Sequence, residues 1–99
     1  MRLPKQVVVS LTQAVQDCFG PDAQVWLFGS RVDDTKRGGD IDLYVETSIE
    51  DTVSAKLEFR NKLESILGEQ KIDVIVHQIS LPLQPIHQIA KKTGILLSL

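Results

Sequence analysis

"LFGSRVDDTKRGGDIDLYVE", residues 27–46, decides how the chain is read. An apolar run ends in Gly29 and Ser30, a charged stretch follows from Arg31 to Gly39, and Asp40 and Asp42 then occupy alternate positions at the start of a second apolar run. In an extended strand, side chains two residues apart share a face, with Cβ atoms roughly 6–7 Å apart. Carboxylates so placed disfavour each other's ionisation unless a cation compensates. Hard oxygen ligands without His or Cys beside them select Mg²⁺, with Mn²⁺ as the second option. Mg²⁺ typically accepts one or two carboxylates and completes its shell with water and phosphate oxygens. The pattern therefore asks for a phosphate, and Gly29-Ser30 offers it a cradle. Glycine lets the backbone approach an anion closely, and the Ser30 hydroxyl and the amides after it can donate to terminal phosphates. Arg31, Lys36 or Arg37 can add positive charge there.

Outward from this stretch the chain divides into short elements. "AQVWLF" (23–28) is apolar and rich in strand formers, and "DIDLYVE" (40–46) alternates, with Ile41, Leu43 and Val45 on one face and Asp40, Asp42 and Tyr44 on the other. From Pro4 to Phe19, apolar residues recur at helical spacing. Pro4 suits the first turn, where a missing N–H costs nothing. Ser48 followed by Asp51 resembles a capping arrangement for a second helix, whose expected core stripe is Val53, Leu57, Leu63, Ile66 and Leu67, ending at Gly68. "KIDVIV" (71–76) is a third strand, apolar apart from Asp73. A short helix is expected from Pro85, with Ile86, Ile89 and Ala90 inward, Lys91 and Lys92 in its last turn and Gly94 as its stop. The tail "ILLSL" adds an edge strand or docks on a partner. The fold expected is α/β: a small mixed sheet covered by helices, in one domain over residues 1–99.

Composition restricts function. The chain of 99 residues is 42% hydrophobic and 24% charged, with a formal net charge of -2, which suits a globular protein and gives no electrostatic footprint for long nucleic acid. The single Cys18 forms no internal disulfide and fits a core thiol in a reducing, cytoplasmic setting. No apolar run is long enough to span a bilayer, and "MRLPKQVVVSLTQ" lacks a cleavage signal, so no membrane attachment is expected.

Asp73 is the candidate third acid. If its strand neighbours residues 40–46, its side chain can reach a second ion or take a proton from an attacking hydroxyl. Two ions about 4 Å apart would then clamp the entering and leaving oxygens of an in-line displacement. Taken singly, each feature has a plainer reading: Gly-Ser as a turn, Asp-x-Asp as a solvated strand end, Asp73 as an acid paired with Lys71 or Arg60. Their joint order is what sets those readings aside. His77 and His87 read as surface or capping residues, Trp26 as core, Tyr44 as either a pocket wall or a cover for the sheet, and Asp33 and Asp34 as loop charges. Leu96, Leu97 and Leu99 are the candidates for an exposed apolar patch.

"LFGSRVDDTKRGGDIDLYVE" followed by "KIDVIV" resembles the minimal nucleotidyltransferase domain of the polymerase-β-like superfamily, whose signature is Gly-Ser, a spacer, Asp-x-Asp and a third acid on a later strand. The match falls on Gly29, Ser30, Asp40, Asp42 and Asp73, and "PIHQIAKKTGILL" resembles the closing segment of these domains. The spacer is slightly shorter than in many relatives, and Gly39 stands where serine is common. The resemblance implies AMP transfer from ATP with two Mg²⁺ ions. Asp40, Asp42 and Asp73 would be the metal ligands, Asp73 also accepting the proton, and Gly29, Ser30 and Arg31 would hold the triphosphate. Small domains of this type pair with helical HEPN ribonuclease toxins. The resemblance therefore implies an antitoxin that adds AMP to a tyrosine of its partner, in a hetero-oligomer, with a homodimer as the state of the chain alone. Two alternatives stand beside it: a non-catalytic module that neutralises a partner by binding, and a transferase acting on a small molecule.

Overall fold

The computed structural model describes residues 4–28, 41–68 and 71–97. In chain order these form α1 (Lys5–Phe19), β1 (Gln24–Phe28), β2 (Ile41–Thr47), α2 (Thr52–Leu67), β3 (Ile72–Gln78), α3 (Pro85–Thr93) and β4 (Ile95–Leu97). The four strands make one mixed sheet in the order β3-β2-β1-β4. β1 is antiparallel to both β2 and β4, whereas β2 and β3 run parallel, joined by the α2 crossover that a parallel pair requires.

The alternation in β2 divides its side chains between two cores. Ile41, Leu43 and Val45 are fully buried with Val25 and Leu27 beneath α1 and α2. Trp26 and Tyr44 point to the opposite face, which α3 covers through Ala90. The central strands are therefore covered on both sides, but only the α1-α2 side is apolar throughout; the other side of β2 carries Asp42, Tyr44 and Glu46. In the larger core the Phe19 and Phe59 rings meet edge to face at 5.4 Å.

The helices depart from the expected pattern in instructive ways. Pro4 is the N-cap of α1, in extended conformation, and not a member of its first turn. The cap of α2 is Asp51, whose carboxylate accepts the Ser54 N–H at 3.1 Å; Ser48 instead donates to Asp22 across the adjoining loop. The buried stripe of α2 is Ala55, Phe59 and Leu63, with Ile66 and Leu67 partly covered, whereas Val53 and Leu57 face solvent. At about 100° per residue, Phe59 shares a face with Ala55 and Leu63, while Val53 and Leu57 fall more than about 100° around the helix from it. In α3 the inward residues are His87 and Ala90; Ile86 and Ile89 are exposed.

Two glycines have defined work. Gly20 ends α1 with φ of 105°, where a side chain would be strained, and its N–H bonds to Gln16 O. At Gly94 a Cβ would strike the carbonyls of Ala90 and Leu27, so glycine lets α3 stop where the chain enters β4 beside β1. The tail does form an edge strand. Leu96 is exposed, Leu97 is buried, and Leu99 lies outside the described residues. Cys18 is only half-buried; burial, and then the charge of Glu58, push its thiol pKa up.

Candidate functional site

The register of the parallel pair places the two described acids side by side. Asp42 on β2 is the partner of Asp73 on β3, and Asp42 is also the partner of Phe28, the last residue of β1. Neighbouring strands lie about 4.8 Å apart, so both carboxylates leave one face of the sheet within reach of a common centre. Asp42 is half-buried and Asp73 exposed, at the N-terminal ends of their strands. This is the face carrying Tyr44 and Glu46 on β2 and Ile75 and His77 on β3.

Gly29, Ser30, Arg31, Lys36, Arg37 and Asp40 lie outside the described residues. In sequence, Gly29 follows Phe28 directly and Asp40 immediately precedes Ile41, so the segment holding the remaining site candidates joins the two strands at the Asp42 row. Among the described residues no cluster of three His, Cys, Asp or Glu side chains suits a metal ion. Asp42 and Asp73 supply two hard oxygen donors, a set that fits Mg²⁺ or Mn²⁺ when water and phosphate oxygens complete the shell.

A second polar group occupies the same face further along the strands. The Tyr44 hydroxyl donates to Glu46 Oε2 at 2.7 Å, and Lys91 Nζ reaches the same oxygen at 3.0 Å from α3. His77 Nδ1 lies 3.3 Å from the Tyr44 hydroxyl and 3.9 Å from Glu46. The other nitrogen of His77, Nε2, is 2.9 Å from Leu81 O, and because a carbonyl only accepts, Nε2 carries the proton of that bond. Burial acts to raise the pKa of Glu46, but the bonds from Tyr44 and Lys91 and the charges of Lys91 and His77 outweigh it, so the carboxyl is held below its ordinary range. Burial, then the bond to Glu46, push the Tyr44 hydroxyl well up. Lys91 also lies over the Trp26 ring, 5.4 Å from its centroid.

Tyr44 is thus a cover of the sheet: its side chain is fully buried between Trp26 and the two histidines. His77 and His87 are buried and stacked at 4.4 Å, contrary to the surface reading, although His87 does act in a cap. The sequence held one signal for this group: the alternation Asp42, Tyr44, Glu46 continues one face, and a partly buried acid there asks for the cation that the last turn of α3 provides.

With the strand order and the paired acids in place, comparison with known families becomes decisive. The family model described as polymerase beta, nucleotidyltransferase matches residues 21–99, and the chain belongs to that family. Residues 21–99 take in every strand of the sheet as well as Gly29, Ser30, Asp40, Asp42 and Asp73. No curated protein matches the chain. Among the described residues, no helix is long and apolar enough to cross a membrane.

Proposed function

We propose that this nucleotidyltransferase-family chain moves AMP from ATP to a hydroxyl acceptor, most specifically a tyrosine of a small helical HEPN-type toxin that it thereby silences. The observation carrying this reading is the register pair Asp42 and Asp73, in one row with Phe28, the residue that precedes Gly29-Ser30 in sequence. Asp40, Asp42 and Asp73 would hold two Mg²⁺ ions. When bound, those ions supply neutralisation of phosphate charge and a lowered pKa for the attacking hydroxyl.

The acceptor oxygen forms a bond to the α-phosphorus while the bond from that phosphorus to the bridging oxygen breaks, and pyrophosphate departs. Asp73, the exposed member of the pair, would receive the hydroxyl proton. Gly29, Ser30 and Arg31 would hold the leaving phosphates through backbone N–H, hydroxyl and guanidinium donors. Asp42, half-buried in the middle of a three-strand row, would be the more rigidly held metal ligand of the pair.

The test is intact mass spectrometry of the protein encoded beside this chain after incubation with it, Mg²⁺ and ATP. A gain of one or more AMP masses is expected, and it disappears with Asp42→Asn. A stable complex with no mass gain would overturn the transfer reading in favour of neutralisation by binding. Transfer to a small molecule in place of the protein would overturn the assignment of the acceptor.

A further inference from the structure

We propose that His87 is a proton-operated latch for α3, its neutral ring capping the helix and docking it on the sheet and its protonated ring releasing both. The inference rests on how the ring is held. His87 Nδ1 accepts the backbone N–H of Gln84, the N-cap residue of α3, at 3.0 Å. That bond needs a lone pair on Nδ1. Adding a proton there sets N–H against N–H and leaves an orphan donor at the start of the helix.

The surroundings give the charged ring little compensation. His87 is only 9% exposed, and its ring stacks on His77 of β3 at 4.4 Å and on Tyr44 of β2 at 5.5 Å. The titratable and charged groups facing it are Tyr44 and Glu46 from β2, His77 from β3 and Lys91 from its own helix; β1 brings Trp26, which does not titrate. Glu46 is the sole anion of this group, and it is already engaged by Tyr44 and Lys91. A cleft of about 260 Å³ lined by Thr52, His77, Leu81, Gln84 and His87 opens beside the ring and gives a proton access from solvent.

Burial, then the charge of His77, lower the His87 pKa from its ordinary 6.5, with Glu46 acting in the opposite sense. A group with a lowered folded pKa that is neutral when docked binds protons more readily once released. Docking is therefore fully favourable above about 6.5 and loses ground as pH falls from there towards the lowered value. Glu46, held below its ordinary 4.5, stays ionised through this window, so its pair with Lys91 does not supply the transition. Release uncovers the Trp26-Tyr44-Ala90 cluster, a consequence independent of nucleotidyl transfer.

Trp26 is the one tryptophan of the chain and packs beneath α3, so its fluorescence reports docking. Between pH 7 and pH 5 the full-length protein should show a red shift of Trp26 emission. His87→Gln should not, because Gln is a usual residue at this capping position and accepts the same N–H without titrating. An unchanged transition in His87→Gln, or no transition in the wild type, would overturn the proposal. Should His87→Gln lack native circular dichroism at pH 7, hydrogen exchange of the wild type decides. After correction for intrinsic rates, the amides of residues 88–93 should exchange at least about tenfold faster at pH 5, and unchanged protection would overturn the latch.

Discussion

At the starts of β2 and β3, Asp42 and Asp73 stand in register, one half-buried and the other exposed; four residues further along, Glu46 and His77 stand in register beneath α3. The same alternation puts both pairs on one face of the sheet. What separates them is cover. Beneath α3, Glu46 receives Tyr44 and Lys91, His77 donates to Leu81, and the polar groups serve to hold a helix. At the strand starts Asp42 is half-buried and Asp73 exposed, and their oxygens suit a hard cation. A polar residue on a strand therefore has its role set less by its own type than by whether an element of the chain lies over it.

This comparison breaks most visibly at Asp42. Asp42→Asn should reduce AMP transfer by more than about a hundredfold, since changes to mere supporting groups of metal sites already cost 10–100-fold, while the thermal midpoint stays close to wild type. A large loss of stability with transfer retained would make Asp42 a structural residue like Glu46 and erase the distinction. The covered end should answer in the opposite sense. Tyr44→Phe removes the hydroxyl between Glu46 and His77 and should cost about 2 kcal/mol in urea unfolding, the range for a hydrogen bond to a charged group.

Lys91→Met should cost less, about 1 kcal/mol, because Lys91 is more than a third exposed and solvent screens its pair with Glu46. Its pH signature is sharper than its size. Glu46 has a lowered folded pKa, so its contribution is present above the ordinary 4.5 and lost as pH falls through the folded value. Without Lys91 that acid-dependent loss should shrink in stability curves taken between pH 5 and pH 3. Smallest of all, Val53→Ser on the exposed side of α2 should change stability by no more than about 0.5 kcal/mol, whereas a core position there would cost several times that.

Strand content was legible because the alternation in β2 and the short apolar runs of β1 and β3 have few other readings, and Gly68 and Gly94 marked helix ends that the fold retains. The helix faces were less legible. In α2, the stripe read through Val53 and Leu57 left out Phe59, which lies more than about 100° around the helix from both and takes the core side with Ala55 and Leu63. In α3, the polar His87 and Lys91 take the sheet side because Glu46 and His77 wait there. A rule that sends isoleucine inward cannot register a polar partner on another element. Asp42 and Asp73 were readable as acids on strands, but their pairing depends on β3 lying parallel to β2 with no offset, a property of the assembled sheet.

The central claim is that this register pair holds the metal of a nucleotidyl-transfer site. Titration with Mn²⁺ in the presence of a non-hydrolysable ATP analogue, followed by electron paramagnetic resonance, tests it most directly. The account predicts saturable binding to the wild type and affinity weakened by more than about tenfold in both Asp42→Asn and Asp73→Asn. Equal Mn²⁺ affinity in the wild type and both variants would contradict it.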